Sequence, residues 1–221
     1  MIKIVRVLVL LLLCSSFAAA KELRPITLQL QWKYQFEFAG YIVAKEKGLY
    51  RDAGLDVTIK EWQPGIKMVD EVIAKRSEYA VVRPTSLIDV VQGKEIVYLA
   101  TIFQSSPLIL LADKSSGIKR IKDFRNKRIM TTGDHNADSS LLSMMFSQGV
   151  KLEDLEMQVP SFNPRDLLDK KTDLMASYIS NEPYVLKEMG GDPVIFSPKD
   201  YGFDFYNDLL ITSKEHLIDH P

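Results

Sequence analysis

Apolar and polar positions along the chain switch period repeatedly, and the switches mark out alternating strands and helices. Residues 26–32 (ITLQLQW) alternate as a half-buried strand does, and 37–47 follow a helical pattern closed by Gly48. Residues 55–61 alternate again and are rich in β-branched side chains. Residues 65–75 set Ile66, Val69 and Ile73 on one helical face. A short buried strand over 79–82 leads to Pro84, where a helix can begin and continue over 86–92; residues 96–103 form a further strand. The second half repeats the style, with strands expected at 108–112, 128–132, 157–160, 174–179, 194–197 and 208–212. Helices are expected between them at 121–125, 137–148, 164–170 and 182–189.

Strand–helix alternation with short connections predicts an α/β fold, its mostly parallel sheets flanked by helices. Two stretches interrupt the pattern: Gln104-Ser105-Ser106-Pro107, and the aromatic, glycine-bearing 201–207. They predict passages between two lobes. The first lobe would comprise 21–104 plus 207–221, and the second 105–206. Ligands of open α/β sheets bind beyond the carboxyl ends of strands or between lobes, so the expected site is the cleft between the passages.

The first twenty residues change the picture from fold to compartment. Lys3 and Arg6 precede an unbroken apolar run from Val7 to Cys14, and Ala18-Ala19-Ala20 offers a small-residue cleavage site before Lys21. This is the pattern of a secretory signal peptide over 1–20, which predicts a periplasmic protein. Cys14 raises lipid anchoring as an alternative, although Leu13 before it is not the small residue that a lipoprotein signal wants. Cys14 is also the chain's single cysteine, so the exported part has no disulfide, thiolate nucleophile or thiolate metal site. Without Lys3 and Arg6 the chain holds 26 basic and 29 acidic residues, a net charge of −3, interspersed rather than striped. That excludes a nucleic-acid face, and no second apolar stretch is long enough to cross a membrane.

Residue-level chemistry concentrates at strand ends. Trp32 ends the first expected strand, followed at once by Phe36, Phe38 and Tyr41, while Gly40 would let backbone approach a ligand closely. Stacking surfaces of this kind suit a flat heteroaromatic molecule; packing of the first helix on its sheet is the alternative use. Thr85 and Ser86 open a helix after a strand and suit either a polar ligand group or plain capping. Arg83 before them is a cleft charge or a surface cover. Thr131-Thr132-Gly133-Asp134 has the same strand–loop–helix logic in the second lobe. His135 beside Asp134 and Asp138 offers three candidate metal ligands in one loop without a fourth, so a solvated loop is preferred and no metal is expected. Asn181 and Glu182 open a helix after a strand, where they can either cap it or exchange hydrogen bonds with a ligand.

Three segments carry a family resemblance: Leu30-Gln31-Trp32 through Phe38-Ala39-Gly40-Tyr41 to Ala53-Gly54-Leu55-Asp56-Val57, then Tyr178 to Tyr184, then Pro198 to Tyr206. Together they resemble the thiamine-pyrimidine family of periplasmic substrate-binding proteins, which has the type II periplasmic binding fold and includes aliphatic-sulfonate and nitrate binders and sensor domains. The resemblance implies a solute-binding protein, not an enzyme, that captures a thiamine-precursor-like pyrimidine by lobe closure. No cofactor is implied. The partner would be the permease of an ABC importer, and the chain a monomer that meets a membrane only through its partner or an anchor. It implies ligand contacts from Trp32, Phe38, Gly40, Tyr41, Thr85, Ser86, Gln104, Ser105, Thr132, Asp134, Tyr178, Asn181, Glu182 and Tyr206. An alternative is the sensing domain of a membrane histidine kinase or diguanylate cyclase. Less favoured is a pyrimidine-synthesising enzyme of the same fold, because that enzyme uses a cysteine-rich iron motif and this chain has three histidines and one cysteine. Full-length relatives continue past the return strand at 208–212, so the first lobe is expected to be incomplete at its C-terminal end.

Overall fold

The computed structural model describes residues 22–133 and 138–221. The leader expected over 1–20, with Cys14, and the loop residues Asp134 and His135 lie outside the described residues.

Within those bounds the chain forms β1 (Arg24–Gln29), β2 (Leu55–Lys60), β3 (Tyr79–Val82), β4 (Ile96–Phe103), β5 (Leu108–Asp113), β6 (Lys127–Met130), β7 (Leu155–Gln158), β8 (Leu174–Tyr178), β9 (Pro193–Phe196) and β10 (Asn207–Ser213). The helices between them are α1 (Ala39–Glu46), α2 (Leu49–Asp52), α3 (Met68–Ile73), α4 (Leu87–Val91), α5 (Ser139–Ser147), α6 (Arg165–Leu168), α7 (Glu182–Glu188) and α8 (Lys214–Asp219). Several expected elements are shorter here. The helix expected over 37–47 begins as a 3-10 turn, Phe36–Phe38, and α1 itself starts at Ala39. The one expected over 65–75 forms only from Met68, since Gly65 adopts a left-handed turn conformation at φ +91°.

The strands assemble into two five-stranded sheets, ordered β2-β1-β3-β10-β4 and β7-β6-β8-β5-β9. The orders are the same motif twice. In the first sheet β1 runs parallel to β2 and β3, and β10 runs antiparallel to both β3 and β4. Four strands therefore point one way and β10 alone points the other. In the second sheet β5 plays that part, antiparallel to β8 and β9. Each reversed strand is the first one laid down after the chain crosses between sheets, at 104–107 and again after Phe196. The crossing reverses the direction, so the fold is α/β with two mixed sheets.

The two crossings lie side by side and are bonded together. The Ser105 hydroxyl donates to the Asp204 carboxylate (2.8 and 2.9 Å), the Ser106 N–H donates to the same group (3.0 Å), and Lys199 Nζ donates to the Ser105 hydroxyl (3.0 Å).

Each lobe has its own core. In the second, Leu110, Phe124, Ile129, Leu141, Met144, Met145 and Leu174 are fully buried in one cluster, with Phe124 edge-on to Phe196 at 4.9 Å. On the other face of that sheet Ile109, Leu111 and Leu186 form a second cluster, where a Cβ at Gly191 would meet the Leu186 side chain at 2.8 Å. The first lobe divides its core between the two faces of its sheet, around Ile26, Leu28, Leu30 and Phe38 on one and Val69, Val72, Ala80 and Ile211 on the other.

Candidate functional site

The space between the lobes is a cleft of two chambers, about 550 and 610 Å³, with a smaller pocket of about 240 Å³ beside them. Its dividing wall is aromatic. Trp32 follows β1 and Trp62 follows β2, and the β1–β2 ladder continues far enough for the Trp62 N–H to donate to the Trp32 carbonyl at 3.0 Å. The two indoles stack at 5.1 Å and 18°. From the second lobe Phe162 meets Trp32 edge-on at 4.8 Å. These three rings, with Arg83 and Thr132, line both larger chambers. The Phe162 backbone has φ +56°, a left-handed conformation that is an outlier for a bulky residue.

One chamber is also lined by Gln35, Glu37, Tyr178, Asn181 and Glu182. Glu182 is already engaged: one carboxylate oxygen accepts the Tyr178 N–H at 2.7 Å and the other accepts Asn181 Nδ2 at 2.9 Å. Tyr178 reaches across to the first lobe, its hydroxyl accepting Asn207 Nδ2 at 3.1 Å.

Behind the aromatic wall lies a buried acidic pair. Glu37 is 6% exposed and accepts a hydrogen bond from Gln35 Nε2 at 3.0 Å; Asp208 is 1% exposed and accepts one from Gln31 Nε2. The other oxygen of each carboxyl, Gln31 Oε1 and the Tyr41 hydroxyl are buried without a hydrogen-bond partner among the described residues. Burial, and then the neighbouring Asp208 charge, push Glu37 up to about 9, against the opposing pull of Gln35 and Arg83. Burial also pushes Asp208 up to about 7, again against Arg83 and Gln31. The pair therefore holds at least one proton at neutral pH.

The expected site residues divide by position. Trp32, Thr85, Ser86, Thr132, Tyr178, Asn181 and Glu182 all line the cleft. Ser86 is spent locally, its hydroxyl donating to the Arg83 carbonyl and pairing with the Tyr98 hydroxyl, both at 2.8 Å. The others stand elsewhere. Phe38 is completely buried in the first lobe's core, and Tyr41 packs on that same cluster. Gly40 sits on the exposed side of α1 with nothing within 4 Å of where a Cβ would be, so no close approach depends on it. Gln104 and Ser105 belong to the crossing rather than to the cleft wall, and Tyr206 is 61% exposed outside it. Asp134 lies outside the described residues. Asp138, one of the three loop residues weighed as metal ligands, is buried and accepts the Thr132 N–H at 3.1 Å.

Sequence reasoning missed Trp62, Phe162 and Glu37. Trp62 obeys the strand-end rule that selected Trp32 and could have been found by it. Phe162 lies in an irregular Pro160–Pro164 loop, where no periodicity marks a cleft residue.

Two sheets of one strand order, joined by paired crossings and closing on a cleft, define the type II periplasmic binding fold. The chain belongs to the NMT1/THI5 like family, whose model matches residues 35–221. Over 212 residues it is 23% identical to a Haemophilus influenzae protein named for thiamine biosynthesis, covering 95% of this chain and 66% of that one. It is also 23% identical to the riboflavin-binding protein RibY of Chloroflexus aurantiacus over 182 residues, or 78% of this chain and 50% of that protein. The chain thus spans about two thirds and one half of these relatives' lengths. Among solved structures, the alkanesulfonate-binding protein SsuA from Xanthomonas axonopodis pv. citri, bound to MOPS, superposes with a TM-score of 0.66. That match has 15% identity and covers 90% of this chain and 68% of that one.

Proposed function

We propose that the chain is an extracytoplasmic solute-binding protein that captures one flat heteroaromatic molecule between its lobes, by closure and without chemistry, and delivers it to the permease of an ABC importer. The observation that carries the reading is the aromatic wall: Trp32 and Trp62 from one lobe meet Phe162 from the other inside the cleft. Rings of this kind offer stacking and edge contacts to a planar ligand. Contacts from both lobes favour the closed state, and a ligand that touches both shifts the population toward it. Asn181, beside the wall, supplies a directed polar group. The relatives named for thiamine biosynthesis and riboflavin binding support a nitrogen heterocycle as the ligand class, and a thiamine-precursor pyrimidine is the reading preferred here.

Isothermal titration of the purified protein with 4-amino-5-hydroxymethyl-2-methylpyrimidine tests it. The expected result is a saturable heat with one site per chain. No heat at millimolar ligand would remove the pyrimidine assignment.

A further inference from the structure

Arg83 follows β3 and is half-buried, and among the described residues it alone lines all three cavities between the lobes. Its guanidinium makes no hydrogen bond and no ion pair with the described residues, whereas Arg76, Arg120, Arg125 and Arg128 each hold a carboxylate. The carboxyls whose charge it feels most are Glu37 and Asp208, and both have raised proton affinities despite it. Each is hydrogen-bonded to a glutamine side chain, and neither makes an ion pair with Arg83.

The other charged groups around the cleft do not neutralise it either. Glu182 has both oxygens occupied by Tyr178 and Asn181. Asp89 is held by Lys94, which also binds Asp70, at 2.8 and 2.7 Å. Lys33 and Lys67 add positive charge to the walls of the two chambers. A partly desolvated guanidinium without a partner is unfavourable, and its planar fork of N–H donors matches the oxygens of a carboxylate, phosphate or sulfonate in bidentate fashion.

We propose that Arg83 is a specificity-determining residue that pairs with an oxyanion on the ligand, so that the preferred substrates are planar rings bearing an acidic substituent. The ring would meet the Trp32–Trp62–Phe162 wall, and the anionic group would lie against Arg83 where the chambers join. This inference rests on the ring-binding reading above and narrows it.

The test uses two matched pairs in calorimetry: the aminopyrimidine alcohol against its phosphate monoester, and riboflavin against its 5′-phosphate. In wild type the charged member of at least one pair binds about tenfold tighter or more. Arg83→Gln abolishes that preference, weakening the charged member far more than the uncharged one. Arg83→Lys, which keeps the charge and loses the fork, retains only part of the preference. Raising ionic strength reduces the wild-type preference. Thermal melts of both variants within a few degrees of wild type confirm that the fold survives. If the uncharged members bind as tightly as the charged ones, or the preference survives Arg83→Gln, the inference is wrong and the ring reading stands. If neither pair binds wild type, both fall.

Discussion

All six residues of β5, an inner strand of the second lobe's sheet, are buried, as are all but Leu210 of its counterpart β10, whereas β4, at the edge of the first lobe's sheet, buries only Ile96 and leaves Leu99 and Ile102 about two-fifths exposed. Helix α4 beside it exposes Leu87, Ile88, Val90 and Val91, the last at 87%. The two sheets share a strand order and each is packed on both faces, the second lobe's around Phe124, Met144 and Met145 on one face and Ile109, Leu111 and Leu186 on the other. Topology fixes where strands lie; coverage fixes how much each contributes to stability. The site uses both lobes, taking strand ends from each, and its buried polar pair belongs to the first.

The largest expected effect breaks the comparison if it fails. Phe124→Ala should destabilise the protein by about 3–5 kcal/mol, because a fully buried ring leaves a cavity. Val91→Ala on the exposed face of α4 should change stability by less than about 0.5 kcal/mol. Denaturant unfolding of both variants checks the contrast; equal losses would mean that these two regions are not unequal in the way described.

The next effect is pH dependence. Glu37 and Asp208 are raised in the folded state to about 9 and about 7, so they bind protons more tightly there than in the unfolded chain. Their contribution is fully present below the ordinary carboxyl range and is lost as pH rises through about 7 and then about 9. His216 works in the opposite sense: burial, followed by His220, lowers its proton affinity, so its contribution fades as pH falls through the usual imidazole range. Between pH 6.5 and 9 the carboxyl pair dominates, and the melting temperature should fall by on the order of 5 °C. Asp208→Asn should flatten the lower part of that slope. A wild-type melting temperature that rises across this window would contradict the neutral assignment.

Smaller still is the crossing. Asp204→Ala removes the acceptor shared by Ser105 and Ser106 and should cost about 1 kcal/mol, since the group is exposed. It should also speed opening of the lobes, measured as a faster ligand off-rate at unchanged on-rate. Phe162→Gly should affect binding more than stability. Glycine tolerates the left-handed backbone at this position, so unfolding should shift by less than about 1 kcal/mol, while ring binding weakens about fivefold through loss of the edge contact. A large stability loss without any loss of binding would assign Phe162 to packing.

Much of this architecture was legible from period and punctuation. The buried run at 79–82 and the strand at 96–103 stand in the structure with the same limits, because both are short, bounded by turn residues and rich in β-branched and aromatic side chains. The reversed direction of β5 and β10 was not legible, since it comes from the crossings and not from any residue in those strands. At the site, strand-end reasoning reached Trp32, Thr132 and Tyr178. Phe38 and Gly40, expected beside them, stand elsewhere: the ring is buried in the first lobe's core and the glycine is exposed. Strand-end reasoning also could not foresee that Glu182 spends both oxygens on its own turn, or that Arg83 makes no ion pair with the described residues.

The chain's two tryptophans, Trp32 and Trp62, both stand in the cleft wall, so intrinsic tryptophan emission reports on this place and no other. Emission measured during titration with the aminopyrimidine phosphate monoester tests most directly that the cleft is the binding site. The account predicts a saturable change whose midpoint agrees with the calorimetric dissociation constant and moves with it in Phe162→Gly. Calorimetric binding with unchanged emission would place the ligand elsewhere and contradict the account.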